Sequence, residues 1–339
     1  MTDAELDRTF AAYAAPGAPG AALLIVNDTT VRIRTWGVAD VTTGAPVTAE
    51  SHFRLASLSK QFTATAVLLL VRAGKLSLDD HIVDIVPGLP AAARSVTIRQ
   101  LLGHVSGIWD YEDFVPDTGR QVHDADVPAL VARRDSLYFA PGTAFRYSNS
   151  AYALLALTVE RRSGMPFAQF LHERVFLPAG MPTTVAHVEG VDTVPHRAFG
   201  ADRVDGVWAR VDQSTTSAVL GDGGIYTSVN DLAHWMRTLW ERPLPGAELQ
   251  AAAWTPGVLV HGDTTPYGFG WYTETDRGLR RLSHHGETRG FTNAYVMYPD
   301  RRVAVILLTN RIGGAPWALA QQVADRELGL GGAPRPFAF

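Results

Sequence analysis

Strand-like segments lie at both ends of this 339-residue chain, and helical segments lie between them. Residues 21–41 indicate two strands joined by a turn, and three more strand segments follow at 280–286, 290–300 and 301–311. Strands from opposite ends of a chain bury their apolar faces most simply by joining one sheet. We therefore predict an α/β (α+β) fold, in which an antiparallel sheet from both termini is flanked by helices and carries an inserted, mainly helical region.

Helical periodicity occupies the middle of the chain and extends to both of its margins. Start and stop residues bound several segments, such as Ser228 before an amphipathic run and Gly107 after another. The predicted helices cover residues 4–13, 57–74, 97–107, 148–164, 166–181, 228–243 and 316–328. We predict that residues 1–75 with 255–339 form a sheet domain, that 76–254 form the helical region, and that an active site lies at their interface.

Composition and charge exclude several classes of function. The chain is 46% hydrophobic and 19% charged, which is typical of a globular protein, and its net charge of −4 argues against a nucleic acid or an anionic membrane as partner. It contains no cysteine, so disulfides, thiolate metal sites and a cysteine nucleophile are excluded. The chain begins without a secretory signal, and the apolar run at 66–71 is too short to span a bilayer. We therefore expect a cytoplasmic protein.

Lysine is rare in this chain, because only Lys60 and Lys75 are lysine among 30 lysine and arginine residues. A buried ammonium can lose its proton, whereas a guanidinium stays charged. Lys60 follows Ser57 by three residues, a spacing that puts both on one face of a helix. The pair predicts a serine nucleophile beside a candidate base. The alternative is that Ser57 only caps the helix and Lys60 is a surface cation.

A second candidate cluster follows a Pro-Gly turn and contains Tyr147 and Asn149. A tyrosine hydroxyl can exchange a proton with a neutral amine, and an asparagine amide can hold both a lysine and a substrate carbonyl. The alternative is a core tyrosine beside a helix-capping asparagine.

A third candidate cluster is His284-His285-Gly286 on a predicted strand. Neighbouring strand residues point to opposite faces, so only one of the two histidines can face a given cleft. This geometry argues against a metal site, whereas Gly286 would let a substrate backbone approach closely.

These three clusters together resemble the motifs of the serine β-lactamase and penicillin-binding protein superfamily. The closest resemblance is to the branch of class C β-lactamases, DD-peptidases, D-aminopeptidases and family VIII esterases. Further segments occur in the order expected of that branch, at 101–111, 141–156, 177–184, 221–236, 267–271 and 298–311. The resemblance covers nearly the whole chain. It implies a β-lactamase/transpeptidase-like fold and acyl transfer through a covalent intermediate, without cofactor or metal.

The resemblance also implies roles for individual residues. Ser57 would be the nucleophile, and Lys60, alone or together with Tyr147, would be the base. Tyr147 would also protonate the leaving group. Asn149 would position the lysine and the substrate.

Other residues would face the substrate. The backbone N–H groups of Ser57 and Glu287, the latter after Gly286, would hold the oxyanion. His284 would orient Tyr147 or the substrate. Two more candidates for the acyl pocket are Tyr111 and Tyr226.

The third cluster departs from the Lys-Thr-Gly that is common in lactam-recognising relatives, because His284 and His285 replace its first two residues. We expect this change to weaken β-lactam turnover, and we expect Glu287 to disfavour substrates that carry a carboxylate. The sequence favours a broad carboxylesterase, with a D-amino-acid peptidase or amidase, or a weak β-lactamase, as alternatives. A non-catalytic binding or sensor relative is an alternative of another class. The sequence does not indicate an oligomeric state.

Overall fold

A computed structural model describes residues 1–115, 120–188 and 190–338. The strands are β1 (Ala21–Asn27), β2 (Thr30–Trp36), β3 (Phe53–Arg54), β4 (Val185–Ala186), β5 (Ala201–Val204), β6 (Val207–Arg210), β7 (Ile225–Thr227), β8 (Tyr272–Asp276), β9 (Leu279–Thr288), β10 (Phe291–Tyr298) and β11 (Val303–Thr309). A 6-stranded sheet has the order β2-β1-β11-β10-β9-β8. A 3-stranded sheet, β3-β7-β4, and a 2-stranded sheet, β5-β6, lie outside it.

Strands from the two ends of the chain meet inside the main sheet. β1 pairs antiparallel with β11, from Ala21 opposite Thr309 to Asn27 opposite Val303. The neighbouring pairs β1–β2, β8–β9, β9–β10 and β10–β11 are antiparallel too. The predicted antiparallel sheet is therefore confirmed. The sequence did not predict β8, which adds an edge strand beside β9.

The α-helices are α1 (Asp3–Thr9), α2 (Ala11–Ala14), α3 (Lys60–Arg72), α4 (Ile98–Leu102), α5 (Val127–Val131), α6 (Asn149–Ser163), α7 (Phe167–Leu171), α8 (Leu177–Ala179), α9 (Leu220–Gly223), α10 (Val229–Glu241), α11 (Ala247–Ala253) and α12 (Pro316–Leu328). A π-helical turn, His172–Phe176, joins α7 to α8. The 3-10 segments are Ala56–Ser59, Ile82–Asp84, Ala91–Ser95, Tyr111–Phe114, Asp124–Asp126 and Pro299–Arg301. Within the described ranges, no helix combines the length and apolar character needed to cross a membrane.

Three predicted helices differ clearly from their predicted bounds. The helix predicted over 4–13 is divided at Phe10 into α1 and α2. The segment predicted over 97–107 is helical only in α4 and ends at Gly103, because His104 takes a left-handed conformation with φ of 57°. The helix predicted from Ser57 begins as a 3-10 turn, and the α-helix starts at Lys60.

The main sheet separates two buried apolar layers. On one face, side chains of α1 and α12 such as Leu6 and Val323 pack against Leu23 and Val305 of the sheet. On the other face, Phe62 of α3 belongs to a larger layer that also contains residues of α6 and α10. Because α3 packs on this second face, its N-terminal end comes close to β9 and β10. The division of the chain at residues 75 and 255 stays a prediction.

Candidate active site

Ser57 and Lys60 meet at the start of α3. The turn that carries Ser57 is a 3-10 turn, in which residues three apart lie one above the other. Lys60 Nζ lies 3.1 Å from Ser57 Oγ, within hydrogen-bonding distance. Ala56 enters this turn with φ of 50°, which is uncommon for a residue with a side chain and is typical of functional sites. The half-buried Ser57 follows this bend.

Lys60 is fully buried, and its amine donates to three acceptors. Besides Ser57, these are Oδ1 of Asn149 at 2.8 Å and the backbone carbonyl of Asp222 at 2.9 Å. Burial lowers the pKa of Lys60 to about 8, against the opposite influence of nearby carboxylates, first that of Asp222. A lysine with this pKa has a neutral fraction near pH 7 and can therefore accept a proton.

Tyr147 contacts Lys60 with its ring, whose centre lies 4.9 Å from Nζ. The Tyr147 hydroxyl is buried and makes no hydrogen bond within the described part of the chain. Burial raises the pKa of Tyr147 well above its usual value, although the Ser57 hydroxyl acts in the opposite direction. His104 packs 4.3 Å from Tyr147 between ring centres, and its Nδ1 accepts the N–H of Ser148 at 3.2 Å. The phenol is therefore protonated, and the His104 ring packs against it.

Asn149 is the first residue of α6 and accepts a hydrogen bond from Lys60. It also lies beside two acidic residues, Asp110 and Glu112, which together are called the acidic mouth of the cleft. Its N–H donates to Oδ2 of Asp110 at 2.7 Å. Glu112 reaches solvent beside Asn149, and its pKa is raised to about 7 by desolvation first and then by neighbouring carboxylates. The mouth therefore gains negative charge as pH rises through neutrality. No motif in the sequence marks Asp110 or Glu112 as site residues, and their one signal is that they flank Tyr111.

Gly286 brings β9 against the segment before Ser57. A Cβ at Gly286 would lie 2.1 Å from the carbonyl oxygen of Leu55, so no side chain fits there. Asn293, opposite Gly286 on β10, donates to the same carbonyl at 3.3 Å. Glu287 follows on β9, is exposed, and lines the cleft that also contains Ser57.

The two neighbouring histidines point to opposite faces of the sheet, as strand geometry requires. His285 points toward α12, with 6.3 Å between its ring centre and that of Trp317. His284 is buried on the other face, where Nδ1 donates to the His285 carbonyl at 2.6 Å and Nε2 accepts from the Tyr267 hydroxyl at 2.9 Å. Both His284 nitrogens are thus engaged, and its ring centre lies 6.0 Å from that of Tyr147. An orienting role of His284 stays a prediction.

The two candidate tyrosines of the acyl pocket are placed differently. Tyr111 is fully buried, and its hydroxyl donates to Oδ2 of Asp222 at 2.9 Å. Tyr226 is buried on β7, where its hydroxyl accepts from Arg197 at 3.0 Å and Gln213 at 3.3 Å. Among the described residues, Tyr111 belongs to the lining of the cleft and Tyr226 does not.

The cleft is small and polar, with a cavity volume of about 40 Å³, well below the roughly 300–1,000 Å³ that is typical of small-molecule pockets. Its described lining consists of Arg54, Ala56, Ser57, Tyr111, Glu112, Asn149, Thr216, Asp222, Gly223, Glu287 and Thr288. Carboxylates outnumber cations in this lining. No motif in the sequence marks Asp222 as a site residue, and its one signal is an acidic residue among three glycines at 221–224. Over residues 1–115, 120–188 and 190–338, no group of histidine and carboxylate side chains is arranged to hold a metal.

The fold and this site define a class, the serine hydrolases that share the fold of β-lactamases and penicillin-binding proteins. The family described as Beta-lactamase matches residues 6–328, and the chain belongs to that family. The predicted relationship, fold class and hydrolase class are thereby confirmed, in preference to a non-catalytic relative.

Curated and solved relatives carry related names. Penicillin-binding protein 4* of Bacillus subtilis (strain 168) is 32% identical over 292 residues, covering 81% of this chain and 64% of the relative. The D-aminopeptidase of Brucella anthropi is 28% identical over 302 residues, covering 88% of this chain and 57% of the relative. The octameric penicillin-binding protein homologue from Pyrococcus abyssi superposes with a TM-score of 0.84 at 25% identity, covering 98% of this chain and 78% of that one. The chain thus spans about three fifths of the length of these two curated relatives.

Proposed function

We propose that the protein hydrolyses small amides and esters of D-amino acids that carry a free amino group, through an acyl-enzyme on Ser57. The observation that carries the reaction is the 3.1 Å contact between Ser57 Oγ and the buried amine of Lys60. A hydroxyl beside a partly neutral buried amine is an activated nucleophile.

In the acylation step, Ser57 Oγ bonds to the substrate carbonyl carbon while its proton moves to Lys60 Nζ. The protonated phenol of Tyr147 gives its proton to the leaving nitrogen or oxygen and regains one from Lys60. In the second step, water attacks the acyl-enzyme, gives up a proton by the same route, and releases the acid and free Ser57. The proton of Ser57 thus departs with the amine or alcohol when the bond between the carbonyl carbon and the leaving atom breaks, and the attacking water supplies the proton that restores the Ser57 hydroxyl when the acyl–Oγ bond breaks.

The backbone N–H groups of Ser57 and Glu287 would stabilise the oxyanion of each tetrahedral intermediate. Both residues line the cleft, and the contact of Gly286 with Leu55 fixes β9 beside the turn that carries Ser57. Removing one such donor typically costs ~10²–10³ in kcat.

The charge of the cleft supports a substrate with an ammonium group. Glu112, Asp222 and Glu287 line the cleft, whereas the guanidinium of Arg54 is occupied by the backbone carbonyls of Gly223 and Ser217. An ammonium is attracted by this lining and a carboxylate is repelled. The D-aminopeptidase relative supports the choice of the D series.

A broad carboxylesterase is the second candidate. Lactam-recognising relatives commonly have a lysine where this chain has His284, and both nitrogens of His284 are engaged inside the protein. The position of that lysine therefore offers no cation to a substrate carboxylate, and an uncharged ester would meet no opposing charge.

The test compares hydrolysis of D-alanine p-nitroanilide, L-alanine p-nitroanilide and p-nitrophenyl butyrate by the wild type and by Ser57→Ala. We expect cleavage of the D-anilide that is lost in Ser57→Ala and retained in Ser77→Ala, an exposed serine that serves as control. Glu112→Gln should raise KM for the D-anilide and leave KM for the butyrate unchanged. Activity on the butyrate alone would favour the carboxylesterase. Equal activity of Ser57→Ala and wild type would refute the mechanism.

A further inference from the structure

A buried carboxylate beside Lys60 has no part in the reaction described above. Asp222 lies in α9, only 7% exposed, and its backbone carbonyl accepts from Lys60 Nζ at 2.9 Å. Its side chain turns to Tyr111, whose hydroxyl donates to Oδ2 at 2.9 Å. The same residue therefore contacts the Lys60 amine through its backbone carbonyl and holds its carboxylate against Tyr111.

Asp124 is a nearby aspartate with a structural role, and its contacts differ from those of Asp222. Asp124 accepts the N–H groups of Leu220 at 2.8 Å and Gly221 at 3.0 Å, so its carboxylate caps the first turn of α9. The Asp222 side chain caps no N–H group in the described part of the chain, and its hydrogen-bond partner there is the Tyr111 hydroxyl. A buried carboxylate with so few donors is costly unless a nearby cation compensates it.

We propose that Asp222 is a positioning residue: its buried carboxylate balances the positive charge that Lys60 acquires when it takes the proton of Ser57. The inference rests on the proposed function, in which that proton transfer forms the acyl-enzyme. Tyr111 holds the carboxylate in place, which gives this fully buried tyrosine a role different from that of a pocket wall.

Lys60 and Asp222 each oppose the effect that burial has on the pKa of the other. The Asp222 carboxylate is the largest influence that opposes the lowering of the Lys60 pKa by burial. In return, burial raises the pKa of Asp222 and Lys60 is the largest influence that lowers it. Other ionisable groups also face the pair from the surrounding segments, namely Asp110, Glu112, Asp124, Tyr111, Tyr147, His104 and His284.

The scarcity of lysine allows a direct test. In protein labelled with [ε-¹³C]lysine, only Lys60 and Lys75 give Cε signals, and Lys75 is exposed and serves as an internal reference. We expect the Lys60 signal of the wild type to titrate with a midpoint of about 8. In Asp222→Asn the midpoint should fall by on the order of one pH unit, because a nearby negative charge is removed. The Lys75 midpoint should not move.

Two further variants serve as a second test of the inference and as its control. Tyr111→Phe removes the hydroxyl that donates to the Asp222 carboxylate. It should lower the titration midpoint of Lys60 by a smaller amount than Asp222→Asn does. This variant tests the inference if Asp222→Asn does not fold. Asp231→Asn is the matched control, because that buried carboxylate binds Thr183 and Thr184 away from the cleft. An unchanged Lys60 midpoint in both Asp222→Asn and Tyr111→Phe would refute the inference.

Activity separates this inference from the proposed function. In an active enzyme, the rising limb of kcat/KM against pH should move with the Lys60 midpoint in Asp222→Asn. A shifted midpoint in a protein that cleaves no tested substrate would refute the proposed function and leave the charge balance standing. A fixed midpoint in an active protein would refute only the role of Asp222.

Discussion

Lys60 and Tyr147 share one buried contact, and burial moves their pKa values in opposite directions. Nζ of Lys60 lies 4.9 Å from the centre of the Tyr147 ring. Burial lowers the pKa of Lys60 to about 8 and raises that of Tyr147 well above its usual value. Both shifts have one cause, because a neutral amine and a neutral phenol are each favoured away from water. The site therefore pairs an amine that can lose its proton near neutral pH with a phenol that keeps its own.

Lys60→Arg should reduce kcat/KM by roughly 10²–10⁴-fold, because a guanidinium keeps the charge but cannot accept a proton. Hydrolysis of p-nitrophenyl butyrate measures the loss. Lys75→Arg is the matched control, since Lys75 is exposed and should tolerate the change. Retention of most activity in Lys60→Arg would show that Lys60 acts only through its charge.

The pH profile should distinguish the two candidate bases. For an uncharged ester, kcat/KM should rise with pH and level off above about 8, because the active form of Lys60 is the neutral one. Tyr147→Phe should lower the plateau and leave the midpoint of the limb near that of the wild type. A limb that disappears in Tyr147→Phe would instead identify the tyrosine as the base.

Glu287→Gln should change the response of the enzyme to substrate charge. Comparing two esters that differ only by a carboxylate, we expect the preference of the wild type for the uncharged ester to shrink by roughly 3–10-fold. The effect should weaken in high salt, because Glu287 is exposed. Glu248→Gln, an exposed glutamate on α11, is the control. An unchanged ratio of kcat/KM values in Glu287→Gln would rule out this role.

Gly286→Ala should damage both stability and activity, since the new Cβ would lie 2.1 Å from the Leu55 carbonyl oxygen. Forcing β9 away from that carbonyl should cost roughly 1–3 kcal/mol and displace the N–H of Glu287. Chemical denaturation and kcat on p-nitrophenyl butyrate report the two effects. Gly331→Ala is the control, because no heavy atom lies within 4 Å of a Cβ there. Wild-type kcat in Gly286→Ala would contradict the oxyanion geometry.

The sequence could predict those parts of the molecule that depend on local pattern. Ser57 and Lys60 are three residues apart, so their contact follows from backbone geometry alone. β1, β10 and β11 carry apolar runs and β2 alternates apolar with charged residues, whereas β8 has a polar Thr-Glu-Thr core and pairs only with β9 in the sheet. The helix predicted over 97–107 is longer than the observed α4, because nothing in the sequence indicated that His104 adopts a left-handed backbone conformation.

The remaining parts of the site depend on packing between distant segments. Asp222 reaches Lys60 across a sequence separation of 162 residues, and Tyr111 reaches Asp222 across 111. No local pattern encodes such contacts. Side-chain chemistry and the resemblance to known motifs indicated Tyr147 and Asn149, and Glu287 was expected to disfavour carboxylates. The contribution of Asp110, Glu112 and Asp222 to the acidity of the cleft became evident only in the folded chain.

The two lysines of this chain lie at opposite extremes of exposure, since Lys60 is buried and Lys75 is exposed just beyond the end of α3. Reagents that couple to amines in water act on accessible side chains. A dye, a crosslinker or a solid support directed at lysine would therefore attach at Lys75 and leave the amine beside Ser57 untouched. Because the chain has only two lysines and Lys60 is buried, Lys75 is a single defined lysine site for immobilisation.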